Sequence, residues 1–198
     1  MTVGLLGGTF DPPHLGHVAL ARAALAHFGL ERLLVAPTGR TPGKEVASDP
    51  EVRVRLAEAA FADVPGAEVS RIDVDRPQPA YSIDTVRWVQ EQWGEPLFIV
   101  GADRFADFLS WREPNAVLRV ARLGVATRPG FDLRSLDHVL SAVEQPERVS
   151  FFVIPPVPVS STEVRERVAA RLPIGGLVPR GVEQLIVALG LYREPGVH

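Results

Sequence analysis

Cysteine is absent from the 198-residue chain. That excludes disulfides, thiol nucleophiles and zinc or iron–sulfur sites ligated by cysteine. No apolar run approaches the roughly 18 residues that a membrane-spanning helix needs. The N-terminal MTVGLLGG carries no basic region ahead of its first strand, so no signal peptide is expected and the reading is a cytoplasmic protein with no membrane partner. Excess positive charge is also missing. Lys plus Arg number 21 against 24 Asp plus Glu, a net charge of −3, which excludes broad, salt-dependent binding of nucleic acid but leaves room for a local basic pocket. Internal repeats and low-complexity tails are absent too. What remains is an ordinary globular composition, 46% hydrophobic and 23% charged, enough for one domain with a real core.

Short apolar runs alternate with longer amphipathic ones. Strands are predicted at residues 3–6, 32–37, 67–74, 96–101, 122–127 and 149–155. Helices are predicted from His14 to a stop at Gly29, after Asp49 with Pro50 in its first position, over SIDTVRWVQEQWG, over LRSLDHVLSAVEQ, and over STEVRERVAARL and GVEQLIVALGLY. Strands alternating with helices of about ten or more residues indicate βαβ units. The expected fold is therefore α/β, a Rossmann-like doubly wound parallel sheet. It forms a single domain over residues 1–198, with a C-terminal helical segment at 160–198 packed on it. In such sheets ligands sit at the carboxyl ends of the strands, where the winding reverses.

Three strand ends carry candidate chemistry. The first is GGTFDPPHLGH. Gly7 and Gly8 lack a Cβ, so their N–H groups can approach an anion closely, and the following helix directs its positive end at the same place. His14 and His17, three apart at the helix start, can both enter one cleft. The stretch is neither a GxGxxG fingerprint nor a P-loop. Zinc sites on helices space histidines by four and need a third ligand, so a metal reading is weak. A plain strand-to-helix turn with incidental histidines is the structural alternative. The last strand end is VSSTEVRERV, where Ser160, Ser161 and Thr162 can simply cap a helix. With Arg165 one turn in, it also offers a second helix N-terminus beside the first, and the two together would suit a polyphosphate. Between them, Gly101 and Asp103 follow a fully apolar strand, where a carboxylate either meets a ribose hydroxyl or caps the next helix. Trp111 either stacks on a flat ring or fills core. Tyr81 and Thr85 stand in PAYSIDTV, where Ser82 or Asp84 could merely cap. The Gly- and Pro-rich loop at 38–49 is expected to be the most mobile segment.

Taken together these segments resemble the bacterial nicotinate mononucleotide adenylyltransferases of the HxGH nucleotidyltransferase superfamily. The matching pieces run in family order from Gly4 to Tyr192: GGTFDPPHLGH, PGK, YSIDTV, FIVGAD with Trp111 and RPG downstream, VSSTEVR, and LVPRGVEQLIVALGLY. YSIDT and the GAD segment with Trp111 separate the chain from the related phosphopantetheine and flavin adenylyltransferases. The resemblance implies adenylyl transfer from ATP to nicotinate mononucleotide, giving nicotinate adenine dinucleotide (deamido-NAD) and pyrophosphate in NAD biosynthesis. It also implies direct in-line attack on the α-phosphate, with Mg²⁺ held mainly by the phosphates and no metal ligand from the protein. Carried over, His14, His17, Lys44 and Arg165 are catalytic. ATP would be bound by Gly7, Gly8, Thr9, Phe10, Gly101, Asp103, Ser160, Ser161 and Thr162, together with both histidines and Arg165. The mononucleotide would meet Gly8, Thr9, Lys44, Tyr81, Thr85, Asp103 and Trp111. Helix termini, imidazoles, Arg and Lys would then supply positive potential where charge builds up. One departure stands out: the family loop commonly reads Pro-His-Lys, whereas here Gly43 replaces the histidine and leaves Lys44. Two alternatives are the same chemistry on nicotinamide mononucleotide and a nucleotide-binding module without catalysis. A homo-oligomer is left open.

Overall fold

Apolar runs of five or six residues form the central strands, and glycine, proline or a capping side chain ends most elements. The computed structural model describes residues 2–39, 46–77, 79 and 81–193. In chain order the elements are β1 (Val3–Gly8), α1 (Leu15–Phe28), β2 (Arg32–Pro37), α2 (Pro50–Phe61), β3 (Ala67–Val69), α3 (Ser82–Trp93), β4 (Leu97–Gly101), α4 (Ala102–Ala106), α5 (Pro114–Val120), β5 (Arg122–Thr127), α6 (Asp137–Leu140), β6 (Val149–Val153), α7 (Ser161–Ala169) and α8 (Arg180–Leu189). The six strands form one sheet in the order β3-β2-β1-β4-β5-β6. Every pairing is parallel. The winding reverses between β1 and β4, whose ends carry the glycine-histidine turn and Gly101. That is where a doubly wound sheet opens a crevice.

Both faces of the sheet are covered, because successive strand residues point to opposite sides. On one face Leu6, Val18, Leu56, Ile99, Val164 and Val182 join a core under α1, α2, α7 and α8. On the other, Leu5, Val86, Val89, Phe105 and Val117 form a second core under α3, α4 and α5. Leu5 and Leu6 are both buried, and each such side chain contributes about 1.5–3 kcal/mol through apolar burial. Gly4 is small for a packing reason: a Cβ there would lie 2.6 Å from Leu30 and 2.7 Å from Leu33.

The sheet, its direction and the alternation with helices agree with the sequence reading; several boundaries differ. β1 continues through Gly7 and Gly8, which pair with Ala36 and Pro37. β3 is three residues long instead of the eight expected, because the chain turns at Arg71, whose carbonyl accepts from Val74 N and Asp75 N. The helix expected over 133–145 is a 3₁₀ turn at Leu133–Leu136 followed by the four-residue α6. There Ser135 and Ser141 turn their hydroxyls onto the carbonyls of Asp132 and Asp137, a competition with helical bonding that shortens helices. α5, absent from the sequence reading, starts with Pro114 in its first turn and the left-handed Glu113 as its cap residue. Asp49 stands before α2, but its side chain makes no capping bond.

Candidate active site

The β1–α1 turn is shaped by the side chains it folds around. A Cβ on Gly8 would sit 2.8 Å from the Phe10 ring, so that ring requires glycine there, whereas a Cβ on Gly7 would meet only ordinary contacts at 3.6 Å. Phe10 is in the left-handed region (φ +51°), 1% exposed, with its ring edge-on to His17 and Phe61 at 5.1 and 5.7 Å. Gly16, between the two histidines, makes room for the His14 ring, which would lie 3.0 Å from a Cβ.

His14 is the extended N-cap residue of α1, and its backbone N–H donates to His17 Nδ1 at 3.1 Å. Because Nδ1 accepts, the proton of a neutral His17 sits on Nε2, which becomes a donor. The two rings lie 3.8 Å apart between centroids. Burial lowers the His14 pKa to about 4. Burial, with His14 as a lesser contributor, holds His17 well below its ordinary 6.5. Both imidazoles are therefore uncharged at neutral pH in the free protein. They offer hydrogen-bond donors and not the fixed positive charge expected from the sequence, because a buried cation pair is too costly to keep.

The helix that follows the last strand, α7, meets this turn directly. Ser160 caps α7 by accepting from Glu163 N at 3.1 Å. Ser161 Oγ donates to the carbonyl of Pro12 at 2.8 Å. Arg165 donates through Nη1 to the carbonyl of Asp11 at 2.7 Å and through Nη2 to Thr162 Oγ1 at 3.3 Å. The N-termini of α1 and α7, separated by about 150 residues of sequence, so open onto one place. Thr9, Asp11, Ala47, Ser161, Thr162 and Arg165 line a cleft of about 540 Å³ there. The Asp11 carboxylate is buried and occupied: Oδ1 accepts from Tyr192 Oη and Oδ2 from Ala47 N, both at 2.7 Å. Tyr192 Oη in turn accepts from Ser48 Oγ at 3.1 Å.

A second cavity of about 270 Å³ adjoins the histidines. Gly16, Leu20, Gly101, Asp103, Arg128, Phe131 and Ile154 are among the residues lining it. Asp103 is exposed in the first turn of α4, whose cap residue is Gly101, so its carboxylate is not spent on capping. Tyr81 is the N-cap residue of α3 and carries the Arg112 guanidinium 4.5 Å over its ring. Trp111 packs on Phe98 and Phe108, and its buried Nε1 has no hydrogen-bond partner among the described residues. Thr85 is buried and its hydroxyl donates to Asp73 at 2.8 Å, so that proton is already committed. Lys44 and Gly43 lie outside the described residues.

The structure thus brings Thr9, Ser161, Thr162 and Arg165 around one cleft and His14, His17, Gly101 and Asp103 around the other. Three sets of residues were not singled out from the sequence. The apolar wall of Phe131 and Ile154 comes from the loops after β5 and β6, and no motif announces a flat apolar pocket. Tyr192 reaches the site from the far end of the chain. Arg53 is 1% exposed in the first turn of α2, and its signal is an arginine flanked by Val52 and Val54 on a helix that must bury one face. Among the described residues no group of three or more His, Asp or Glu could hold a metal. No helix there is long and apolar enough to cross a membrane.

Residues 5–167 match the family described as Cytidylyltransferase-like. A protein of Roseiflexus sp. (strain RS-1) named "Probable nicotinate-nucleotide adenylyltransferase" is 42% identical over 197 residues, covering 96% of this chain and 98% of its own. One of the same name from Moorella thermoacetica is 38% identical, covering 96% and 91%. Among solved structures, a Plasmodium falciparum nicotinic acid mononucleotide adenylyltransferase complexed with NaAD superposes with a TM-score of 0.78 at 16% identity, over 96% of this chain and 97% of that one. At that identity the likeness shows the fold.

Proposed function

The chain belongs to the cytidylyltransferase-like family and, within it, to the nicotinate-nucleotide adenylyltransferases, and from that premise we propose how its cleft joins nicotinate mononucleotide to ATP. The observation that carries the reading is the junction of two helix N-termini at Asp11–Pro12, made by Ser161 and Arg165. Free N–H groups and an arginine around one cleft, with two neutral imidazole donors lining the second cavity, suit a triphosphate.

In this reading the adenine enters the cavity walled by Phe131 and Ile154, and Asp103 faces a ribose. The triphosphate crosses His14 and His17 to Thr162 and Arg165, along the main chain of Gly8 to Phe10. The nicotinate ring lies toward Tyr81, Thr85 and Trp111, with the hydroxyl of Thr85 left on Asp73. Lys44 meets the mononucleotide phosphate. An oxygen of that phosphate attacks the α-phosphorus, a new P–O bond forms, and the bond to the β-phosphate breaks with pyrophosphate taking the electron pair. No side-chain nucleophile is required. The protein positions two anions and donates hydrogen bonds where charge accumulates, each such donor being worth about 2.7–4 kcal/mol in a preorganised site. Mg²⁺ accompanies the nucleotide and, when bound, neutralises phosphate charge. Among the described residues the Asp11 carboxylate, which lines the cleft, already accepts a hydrogen bond at each oxygen.

The test is the purified protein with ATP, Mg²⁺ and either nicotinate or nicotinamide mononucleotide. The reading expects nicotinate adenine dinucleotide and pyrophosphate, with kcat/KM higher for the nicotinate substrate, because N–H donors reward its carboxylate. Preference for the amide would overturn the substrate assignment, and absence of product with either would overturn the reaction.

A further inference from the structure

We propose that Arg53 is a positioning residue for the phosphate-binding turn: by holding the Thr9 carbonyl from beneath, it aims the Phe10 N–H into the cleft. The inference rests on the reading that this turn holds the phosphates of ATP.

Arg53 Nη1 donates to Thr9 O at 3.0 Å and also to Thr38 O; Nη2 donates to Gly39 O at 3.0 Å and Nε to Ser48 O at 3.2 Å. One buried guanidinium thus satisfies four carbonyls from three segments: the β1–α1 turn, the end of β2, and the approach to α2. Among the described residues it forms no ion pair, and its planar fork of donors is spent wholly on backbone. In a trans peptide the C=O and N–H point in opposite directions. The Thr9–Phe10 peptide turns its oxygen inward to Arg53, so its N–H faces outward to the cleft lined by Thr9 and Arg165. Among the described residues that N–H has no acceptor, although Phe10 itself is buried. Phe10 pays for this orientation with a positive φ, which few non-glycine residues adopt. A free donor, a strained residue and a buried cation behind them form one arrangement. Its effect is to keep an N–H aimed at an anion before the anion arrives, which lowers the ordering cost of binding.

Lysine at this position would keep the charge and lose the fork. For R53K the expectation is that affinity for ATP falls about tenfold, the scale of one charge-assisted hydrogen bond. Affinity for adenosine, which has no phosphate, stays within about twofold. Equal weakening for ATP and adenosine, or no change for either, would overturn the positioning role, since a merely loosened fold does not distinguish them. If R53K does not fold, the unaltered protein decides by NMR. The Phe10 amide should shift on titration with ATP and stay still with adenosine; an amide indifferent to ATP overturns the inference. Failure of the unaltered protein to bind ATP at all would instead overturn the proposed function.

Discussion

Acidification should destabilise the protein through His14 by an amount that the geometry sets. The buried imidazole has its pKa lowered from 6.5 to about 4 in the folded state. Between those values the unfolded chain binds a proton that the folded chain refuses, so stability falls as pH drops through that window. The full loss below about pH 4 is about 3 kcal/mol, from roughly 2.5 pK units at about 1.36 kcal/mol each. Two-state linkage for one such site gives about 2 kcal/mol of that loss between about pH 7.5 and about pH 5. The perturbation is His14→Asn, compared with the unaltered protein by urea unfolding at both pH values. Carboxylates titrate equally in the two proteins and cancel in the difference. The stability of the unaltered protein relative to the variant should therefore fall by about 2 kcal/mol on acidification. Removing His14 also relieves the smaller charge effect it exerts on His17, which acts in the same direction. Parallel pH profiles would refute the claim that the imidazole is held neutral.

Other perturbations separate shape from chemistry. His17→Ala leaves the His14 N–H without its acceptor and should cost about 1–3 kcal/mol in urea unfolding, but it should lower kcat far more, by about a hundredfold or more, the scale of one lost transition-state donor, measured as pyrophosphate release at saturating substrates. Tyr192→Phe removes the hydroxyl that donates to Asp11 and should cost about 1–3 kcal/mol in urea unfolding, because a buried carboxylate oxygen loses its donor. Gly39→Ala would place a Cβ 2.1 Å from the Asp73 carbonyl and should lower the Tm sharply. Gly101→Ala meets nothing within 4 Å and should change stability by less than about 0.5 kcal/mol, a contrast readable in paired thermal melts.

The fold was legible where local pattern and global packing agree. The apolar strands announced themselves because parallel strands covered on both faces have no polar side. β3 was overcalled because Ile72 and Val74 extend the apolar pattern past the point where Arg71 turns the chain. The two turns proposed to bind phosphate were visible in glycine, histidine and serine placed before helices. Their union was not, since contacts such as Ser161 to Pro12 span 149 positions. The sequence assigned Gly7 and Gly8 the same reason, yet only Gly8 is demanded by space. Imidazole charge state, the occupied Asp11 and the role of Arg53 all depend on burial, which a local motif does not encode.

Direct transfer without a covalent enzyme intermediate is the centre of this account, and stereochemistry at the α-phosphorus tests it. ATP made chiral there with sulfur and supplied with nicotinate mononucleotide should give the dinucleotide with inverted configuration, as a single in-line displacement requires. Retention would reveal two displacements and a nucleophile on the protein, and would contradict a cleft that works by positioning and hydrogen-bond donation alone.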